Sequence, residues 1–266
     1  MDSPIITLTS DWTTQNHFVG KVKGRLYSLI PNVRVVDISH EVPIADKMSA
    51  AFIAKNTCCD FPEGSIHLID VTGTRATGDV VVVEADGCYY IMVDNGLPTL
   101  LFGTNYNRAV RLPDIKQPYD KGNFLAYDVF CPAAAAIAAG KPMEQIGTIC
   151  EQLTPVSTYS YIVEENGMKV YIAYIDAYGN AYLGINIDEF ERYRNGRDFT
   201  VVLRESKITL SQFDVPTVVS DVASQIELLL SVSVTGNLVI STTLPSGNVS
   251  QLFGLRKLQL VKIVFS

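Results

Sequence analysis

The chain has 266 residues, 47% of them apolar and 18% charged, with a formal net charge of −7 and a pI near 5.0. Such a composition belongs to a folded globular protein with a sizeable core, and the length favours two domains. The acidic balance argues against nucleic acid as a partner. No apolar run approaches the ~20 residues needed to span a bilayer, and the N-terminus, with its early Asp2, shows no signal-peptide pattern. Five cysteines without a CxxC spacing read as buried or free thiols of a reducing compartment. The expectation is a soluble, cytoplasmic protein with no membrane partner and no metal.

In chain order, residues 4–10 (PIITLTS) read as a strand that delivers Asp11 at its end, and 18–29 carry apolar residues at helical spacing up to Pro31. A second strand over 34–38 (RVVDI) and an Ala-rich helix over 47–55 follow. Residues 61–96 hold three strand-like runs, 65–69, 80–84 and 88–93. The first ends on Asp70, a Thr/Gly-rich loop carrying Arg75 precedes the second, and the third ends in Asp94-Asn95-Gly96. A carboxylate at the end of a strand in an open α/β sheet sits where ligands bind; the competing reading is a surface Asp, a mobile loop and an Asn-Gly hairpin. Residues 129–139 (VFCPAAAAIAA) read as a buried helix stopped by Gly140. The texture changes at a polar stretch, 152–160, taken as a linker. Beyond it short strands at 168–175, 199–203, 208–210, 226–234, 238–242 and 258–264 alternate with Gly and Asn turns. The predicted architecture is an α/β N-terminal domain with a mostly parallel sheet over 1–151, followed by a smaller all-β, barrel-like domain over 161–266.

There is no GxGxxG, P-loop, GxSxG or HExxH motif, and the three histidines (His17, His40, His67) read as structural. What remains is a series of polar residues at strand ends: Asp11, Asp70, Asn95 and Asp176, with Asn180 close behind. Each alone reads as a turn residue.

Their order carries a resemblance. The segments LTSDW, VGKVKG, RVVDISHEVPIAD, FPEGSIHLIDV, VEADGCYYIMVDNGL, DVFCPAAAAIAAG and YIDAYGN, in that order, resemble the S-adenosyl-L-methionine (SAM) hydroxide adenosyltransferases, relatives of the fluorinating and chlorinating enzymes. The resemblance implies attack of water on the 5′ carbon of SAM, releasing methionine and leaving adenosine, with SAM as substrate and no cofactor. It implies a homotrimer with sites between subunits. Asp11 matches the residue that holds the ribose hydroxyls, and Asp70 the acid that handles the hydroxide with Arg75. Asp176 matches a carboxylate facing the methionine ammonium and Asn180 an adenine reader. Tyr178 stands where the family has a Phe beside the ligand, and Asn95 belongs to the DNG turn, counted with the ligand set though mainly structural.

The departures are as specific. The loop after Asp70 has lost a Pro, and strict counting puts Thr77 rather than Arg75 at the arginine position. A histidine of the family falls on Leu125, aromatic walls fall on Ala45 and Val219, and a second loop aspartate is Asn16. These changes raise the alternative of a catalytically impaired nucleoside- or SAM-binding protein on the same fold.

Overall fold

The computed structural model describes residues 3–72, 78–113, 124–156, 161–203, 208–221, 224–243 and 247–266. The chain divides into two compact units, 1–157 and 158–266.

The first unit is a seven-stranded sheet between two helical layers. Its strands are β1 (Ile5–Ser10), β2 (Arg34–Ser39), β3 (Ile66–Asp70), β4 (Val80–Ala85), β5 (Cys88–Val93), β6 (Arg108–Arg111) and β7 (Thr148–Ile149), in the order β2-β1-β3-β5-β4-β6-β7. Strand alternation gives each face its own core. Ile6, Leu8, Ile66, Leu68, Ile91 and Val82 pack on helices α1 (Phe18–Leu29) and α4 (Cys131–Ala138) through Val22, Leu26, Ala134 and Ile137. On the other face Ile69, Met92, Val81 and Val83 pack on α2 (Lys47–Lys55) and α3 (Leu97–Phe102) through Ala50, Ala54, Leu97 and Leu101. The alanines let α2 and α4 approach closely, and Asp46 caps α2 by accepting the Ser49 N–H at 3.1 Å.

The predicted mostly parallel sheet is corrected to a mixed one. β2, β1, β3 and β5 pair in parallel, whereas β4, β6 and β7 extend the sheet through three antiparallel pairings. The cause is local: Ala85 pairs with Cys88 across Asp86 and Gly87, whose φ values are 50° and 72°. Positive φ at both central residues is what a two-residue type I′ hairpin requires, and a hairpin cannot join parallel strands. The Asn95-Gly96 pair, in contrast, opens α3 and is not a hairpin. α4 is shorter than the predicted 129–139 helix and is preceded by a π-helical turn over Ala126–Phe130. Pro132 has no N–H for the carbonyl of residue 128, which favours the wider winding there.

The second unit is β-rich. Its strands are β8 (Tyr161–Glu164), β9 (Gly167–Ile175), β10 (Ala181–Asn186), β11 (Phe199–Leu203), β12 (Ile208–Leu210), β13 (Thr217–Asp221), β14 (Ser224–Val232), β15 (Asn237–Thr242) and β16 (Leu260–Phe265). They run in the order β12-β11-β16-β9-β10-β15-β14-β13, with β8 on β9, and every pairing is antiparallel. β9 changes partners midway, from β16 over Gly167–Tyr171 to β10 over Ile172–Ile175, and β12 approaches β14 within 8 Å, so the sheet curls nearly into a barrel. The all-β expectation is corrected by α5 (Ile187–Arg194) and α6 (Val249–Phe253). α5 is started by Asn186, which accepts the Glu189 N–H at 2.8 Å, and is held by Phe190, fully buried against Phe199, Phe213 and Phe265.

No described helix is long and apolar enough to cross a membrane. All five cysteines are free and four are buried; burial pushes the Cys58 and Cys131 thiols up to about 12, which leaves them protonated and inert.

His67 on β3 is fully buried between Phe61 and Tyr90, with Nδ1 2.7 Å from the Thr7 hydroxyl. Burial lowers its pKa from 6.5 to about 4. The unfolded chain therefore takes up a proton near pH 6.5 that the fold refuses until about pH 4. Its contribution to stability is complete above pH 6.5 and lost as the pH falls to about 4, by about 3 kcal/mol across that window. Between pH 7 and pH 5 the wild-type Tm should fall further than that of His67→Gln. Equal slopes in thermal unfolding would show that this imidazole is not the linked group.

Candidate functional site

The site in the first unit is built where parallel strands end. β1 and β3 are in register from Ile6–Ile66 to Ser10–Asp70, so Asp70 closes β3 while Asp11 leaves the end of β1 beside it. β5 runs parallel on the far side of β3 and carries Asn95 two residues beyond its end, at the same edge of the sheet. Asp11, Asp70 and Asn95 are thus brought to one edge of three neighbouring strands.

Asp70 is not the surface residue of the competing reading: it is 3% exposed. Burial, and secondarily the nearby Asp11 carboxylate, push its pKa up to about 7, with Trp12 acting in the opposite direction. Its Oδ1 has no hydrogen-bond partner among the described residues. A buried carboxylate that changes protonation state near neutrality, with one oxygen uncommitted, can take a proton from a bound nucleophile.

Asp11 is fixed by backbone. Its Oδ2 accepts the Ala45 N–H at 3.0 Å and the Thr72 N–H at 3.3 Å. Both donors belong to non-glycine residues with left-handed φ, 62° and 58°, and Thr13 adds a third at 60°. L-residues adopt this conformation at a cost of roughly 1–2 kcal/mol each. Two such residues donating to one carboxylate mark a loop cluster shaped for that carboxylate, while the Thr13 N–H donates to the His40 carbonyl at 2.8 Å. The loop after Asp11 is further tied by Asn16, whose side-chain NH₂ donates to the Trp12 carbonyl at 3.0 Å, and by Glu41, which accepts from the Thr14 N–H and hydroxyl at 3.0 and 3.1 Å.

Asn95 has a positioning part. Its Oδ1 accepts the Leu97 N–H at 3.2 Å, its carbonyl accepts from Lys47 Nζ at 2.6 Å, and the neighbouring Asp94 carboxylate accepts the Thr154 N–H at 2.9 Å. Leu125 is 1% exposed within the core that packs on α1 and α4, and Ala45 is exposed. Arg75 and Thr77 lie outside the described residues, as does the side chain of Val219.

In the second unit Asp176, Tyr178 and Asn180 form one loop between β9 and β10. Asp176 Oδ1 accepts the Tyr178 and Asn180 N–H groups, both at 2.9 Å, and Oδ2 accepts from Asn180 Nδ2 at 2.9 Å and the Tyr182 hydroxyl at 3.4 Å. This Asx-type turn leaves the Tyr178 ring 76% exposed. Gly179 has φ 82°, and a Cβ there would lie 2.0 Å from Asn248 Oδ1, which caps α6 through the Gln251 N–H. Only glycine fits.

Among the described residues no group of three His, Cys, Asp or Glu side chains could hold a metal. Ala45 and Thr72 have no polar role expected from the sequence; both act through backbone N–H groups, which carry no sequence signal.

A sheet flanked by helices, with paired carboxylates at the carboxyl ends of its parallel strands, is an α/β arrangement in which that edge is the candidate small-molecule site. A model of the SAM hydroxide adenosyltransferase N-terminal domain matches residues 6–147. The chain belongs to that family. It is 28% identical over 188 residues to an (R)-S-adenosyl-L-methionine hydrolase from Salinispora arenicola, covering 68% of this chain and 72% of the relative. It is 29% identical over 184 residues to an enzyme of the same name from Thermus thermophilus, covering 65% and 71%. The fold is similar to that of an uncharacterized conserved protein from Thermotoga maritima, with a TM-score of 0.82 at 23% identity over 97% of this chain and 99% of that one.

Asp11 and burial together set the ionisation of Asp70. Asp11→Asn keeps an oxygen for the two N–H donors and removes the charge, so Asp70 should ionise at lower pH. The change should be partial, because burial is the larger cause and remains. Carboxyl ¹³C NMR titration reads this directly, and an unmoved midpoint would mean that the two carboxylates do not interact.

Proposed function

We propose that this protein hydrolyses SAM, with Asp70 as the acid–base group. Water attacks the 5′ carbon, the carbon–sulfur bond breaks with its electron pair going to sulfur, methionine leaves, and the water's proton passes to Asp70, leaving adenosine. The reaction annihilates charge, since the departing sulfur is a sulfonium; a site that supplies a carboxylate with little water around it favours that step. The observation that carries the reading is the buried Asp70 beside Asp11 at the strand ends, with its pKa near 7 and Oδ1 uncommitted. In this reading Asp11 holds the ribose hydroxyls, Asp176 and its turn present Asn180 to the adenine edge with Tyr178 beside the ligand, Asn95 positions the edge, and Arg75 steadies the hydroxide. SAM is the substrate and no cofactor takes part. The functional protein is a cytoplasmic homotrimer that completes its sites between subunits, with domains over 1–151 and 161–266 joined by a linker at 152–160.

Incubation with SAM followed by chromatography for adenosine and methionine tests the reading. The base must be ionised, so turnover should rise about tenfold per pH unit below the Asp70 midpoint near pH 7 and level off above it. Asp70→Asn should abolish it. Turnover that is flat from pH 5 to 8, or unaffected by Asp70→Asn, would remove Asp70 from the chemistry.

A second reading, an impaired nucleoside-binding protein, is favoured by Leu125, an apolar side chain buried in the core, and by an alanine methyl at position 45 in place of an aromatic wall. Adenosine should then raise Tm without SAM turnover. No shift at millimolar adenosine, or the same shift in Asp11→Ala, would reject binding at this edge.

A further inference from the structure

His40 stands where the loops that follow β1 and β2 are joined. Its carbonyl accepts the Thr13 N–H at 2.8 Å, and its Nδ1 is 2.7 Å from the Ser10 hydroxyl. Its ring lies nearly parallel to the Trp12 indole, centroids 6.0 Å apart at 13°. Residues 10, 12 and 13, which flank Asp11 on both sides, thus all rest on this one residue. The seam continues beyond it: the Ser10 carbonyl accepts the Val42 N–H at 3.3 Å, Glu41 accepts the Thr14 N–H at 3.0 Å, and Asp11 itself accepts the Ala45 N–H at 3.0 Å. His40 is 3% exposed and Ser10 is fully buried, so neither exchanges these partners for bulk water.

The hydrogen bonds of the ring have one consistent order. Nε2 lies 3.1 Å from Asp37 Oδ1, and the other oxygen of Asp37 is paired with Lys23 Nζ at 2.5 Å. An ionised carboxylate only accepts, so Nε2 carries the proton. Nδ1 of the neutral ring is then bare and accepts the Ser10 hydroxyl, which leaves the Ser10 oxygen to accept the Trp12 backbone N–H, 3.4 Å away. Donation therefore runs in one direction, from the Trp12 amide through Ser10 and His40 to the exposed Asp37. A Ser-His-Asp set invites comparison with a nucleophilic triad, but a serine fully buried in the sheet cannot meet a substrate. The set orients; it does not attack.

We propose that His40 is a positioning residue: held in one tautomer by Asp37, it fixes the place of Asp11 through Ser10, Trp12 and Thr13, and with it the selectivity of this edge for a ligand carrying ribose hydroxyls. The ligand half rests on the SAM-hydrolysis reading, in which Asp11 holds those hydroxyls; the positioning half does not.

The ring nitrogens test the donor order. The chain has three histidines, and the His40 signals are assigned by their loss in His40→Phe. At about pH 8, above the usual titration range of histidine, ¹H–¹⁵N spectra should show the proton on Nε2 and a bare Nδ1. In Asp37→Asn the side chain can offer Nε2 an oxygen or an NH₂, so a share of the Nδ1–H form should appear. A wild-type Nδ1–H form at this pH overturns the order. His40→Phe keeps a ring against Trp12 and removes both nitrogens; the Ala45 amide proton, bonded to Asp11, should then move upfield and exchange faster. If that variant does not fold, Ser10→Ala, which removes only the hydroxyl between ring and loop, should move the same signal. An Ala45 amide unmoved by either change overturns the positioning role. Wild type should bind adenosine more tightly than 2′,3′-dideoxyadenosine. His40→Phe should lose about tenfold in affinity for adenosine and little for the dideoxy compound, with KM for SAM rising more than kcat falls. His40→Asn, whose amide oxygen can accept the Ser10 hydroxyl, should recover part of that selectivity. Equal losses for the two nucleosides, or no recovery, would reduce His40 to packing. If neither nucleoside binds and SAM is not turned over while the Ala45 amide still responds to His40→Phe, the hydrolysis reading fails and the positioning of Asp11 stands.

Discussion

A carboxylate buried at the end of a parallel strand is the constraint from which the rest of the first unit follows. Asp70 sits in the sheet core with Asp11 beside it, and two carboxylates so placed resist being charged together. Burial of a carboxylate is costly, and among the described residues no cation pairs with Asp70, so the fold retains it only where the surroundings are otherwise over-determined. Here they are. Four parallel strands fix the backbone on either side, α1 and α4 close one face, and an aromatic stack of His40, Trp12, Phe124 and Phe18 closes the strand ends.

The same logic accounts for the strained backbone. Thr13, Ala45 and Thr72 accept left-handed conformations, and in return the N–H groups of Ala45 and Thr72 converge on one oxygen of Asp11. Hydrogen bonds to an ionised carboxylate contribute roughly 1.5–3 kcal/mol each, enough to offset the backbone cost. The result is an acceptor whose orientation is settled before any ligand arrives, which is what pre-organisation requires. The antiparallel extension through β4, β6 and β7 adds sheet area and core on the side away from β1.

The second unit solves a similar problem by different means. Instead of burying a carboxylate, it saturates one: Asp176 accepts bonds from Tyr178, Asn180 and Tyr182, so the acid is spent on shaping its own loop. What the loop exposes is the Tyr178 ring, with Gly179 packed close against Asn248. Such a loop is stiff for its length, and its usefulness to a ligand lies in the groups it displays rather than in the charge at its centre.

Much of this was legible in the residues. The strands over 65–69, 80–84 and 88–93, the helices over 18–29 and 47–55 and the strands over 199–203 and 208–210 are local patterns of period two or 3.6, and the collinear motifs carried the family. Asp11 and Asp70 were placed at strand ends by the same patterns. The helix α5 and the Asp86-Gly87 hairpin also had local signals, a capping pair and a turn dipeptide, that short-range reading passed over. Tertiary structure alone decided the rest. That Asp70 is buried, that backbone N–H groups of Ala45 and Thr72, 34 and 61 residues from Asp11, meet on its side chain, and that Trp12 spans from His40 to Phe124 are contacts between distant segments. Periodicity reports which face a residue takes along its own strand or helix; a pKa, a shared donor or a clamped ring depends on what the other strands bring to the same edge, and no local pattern records that.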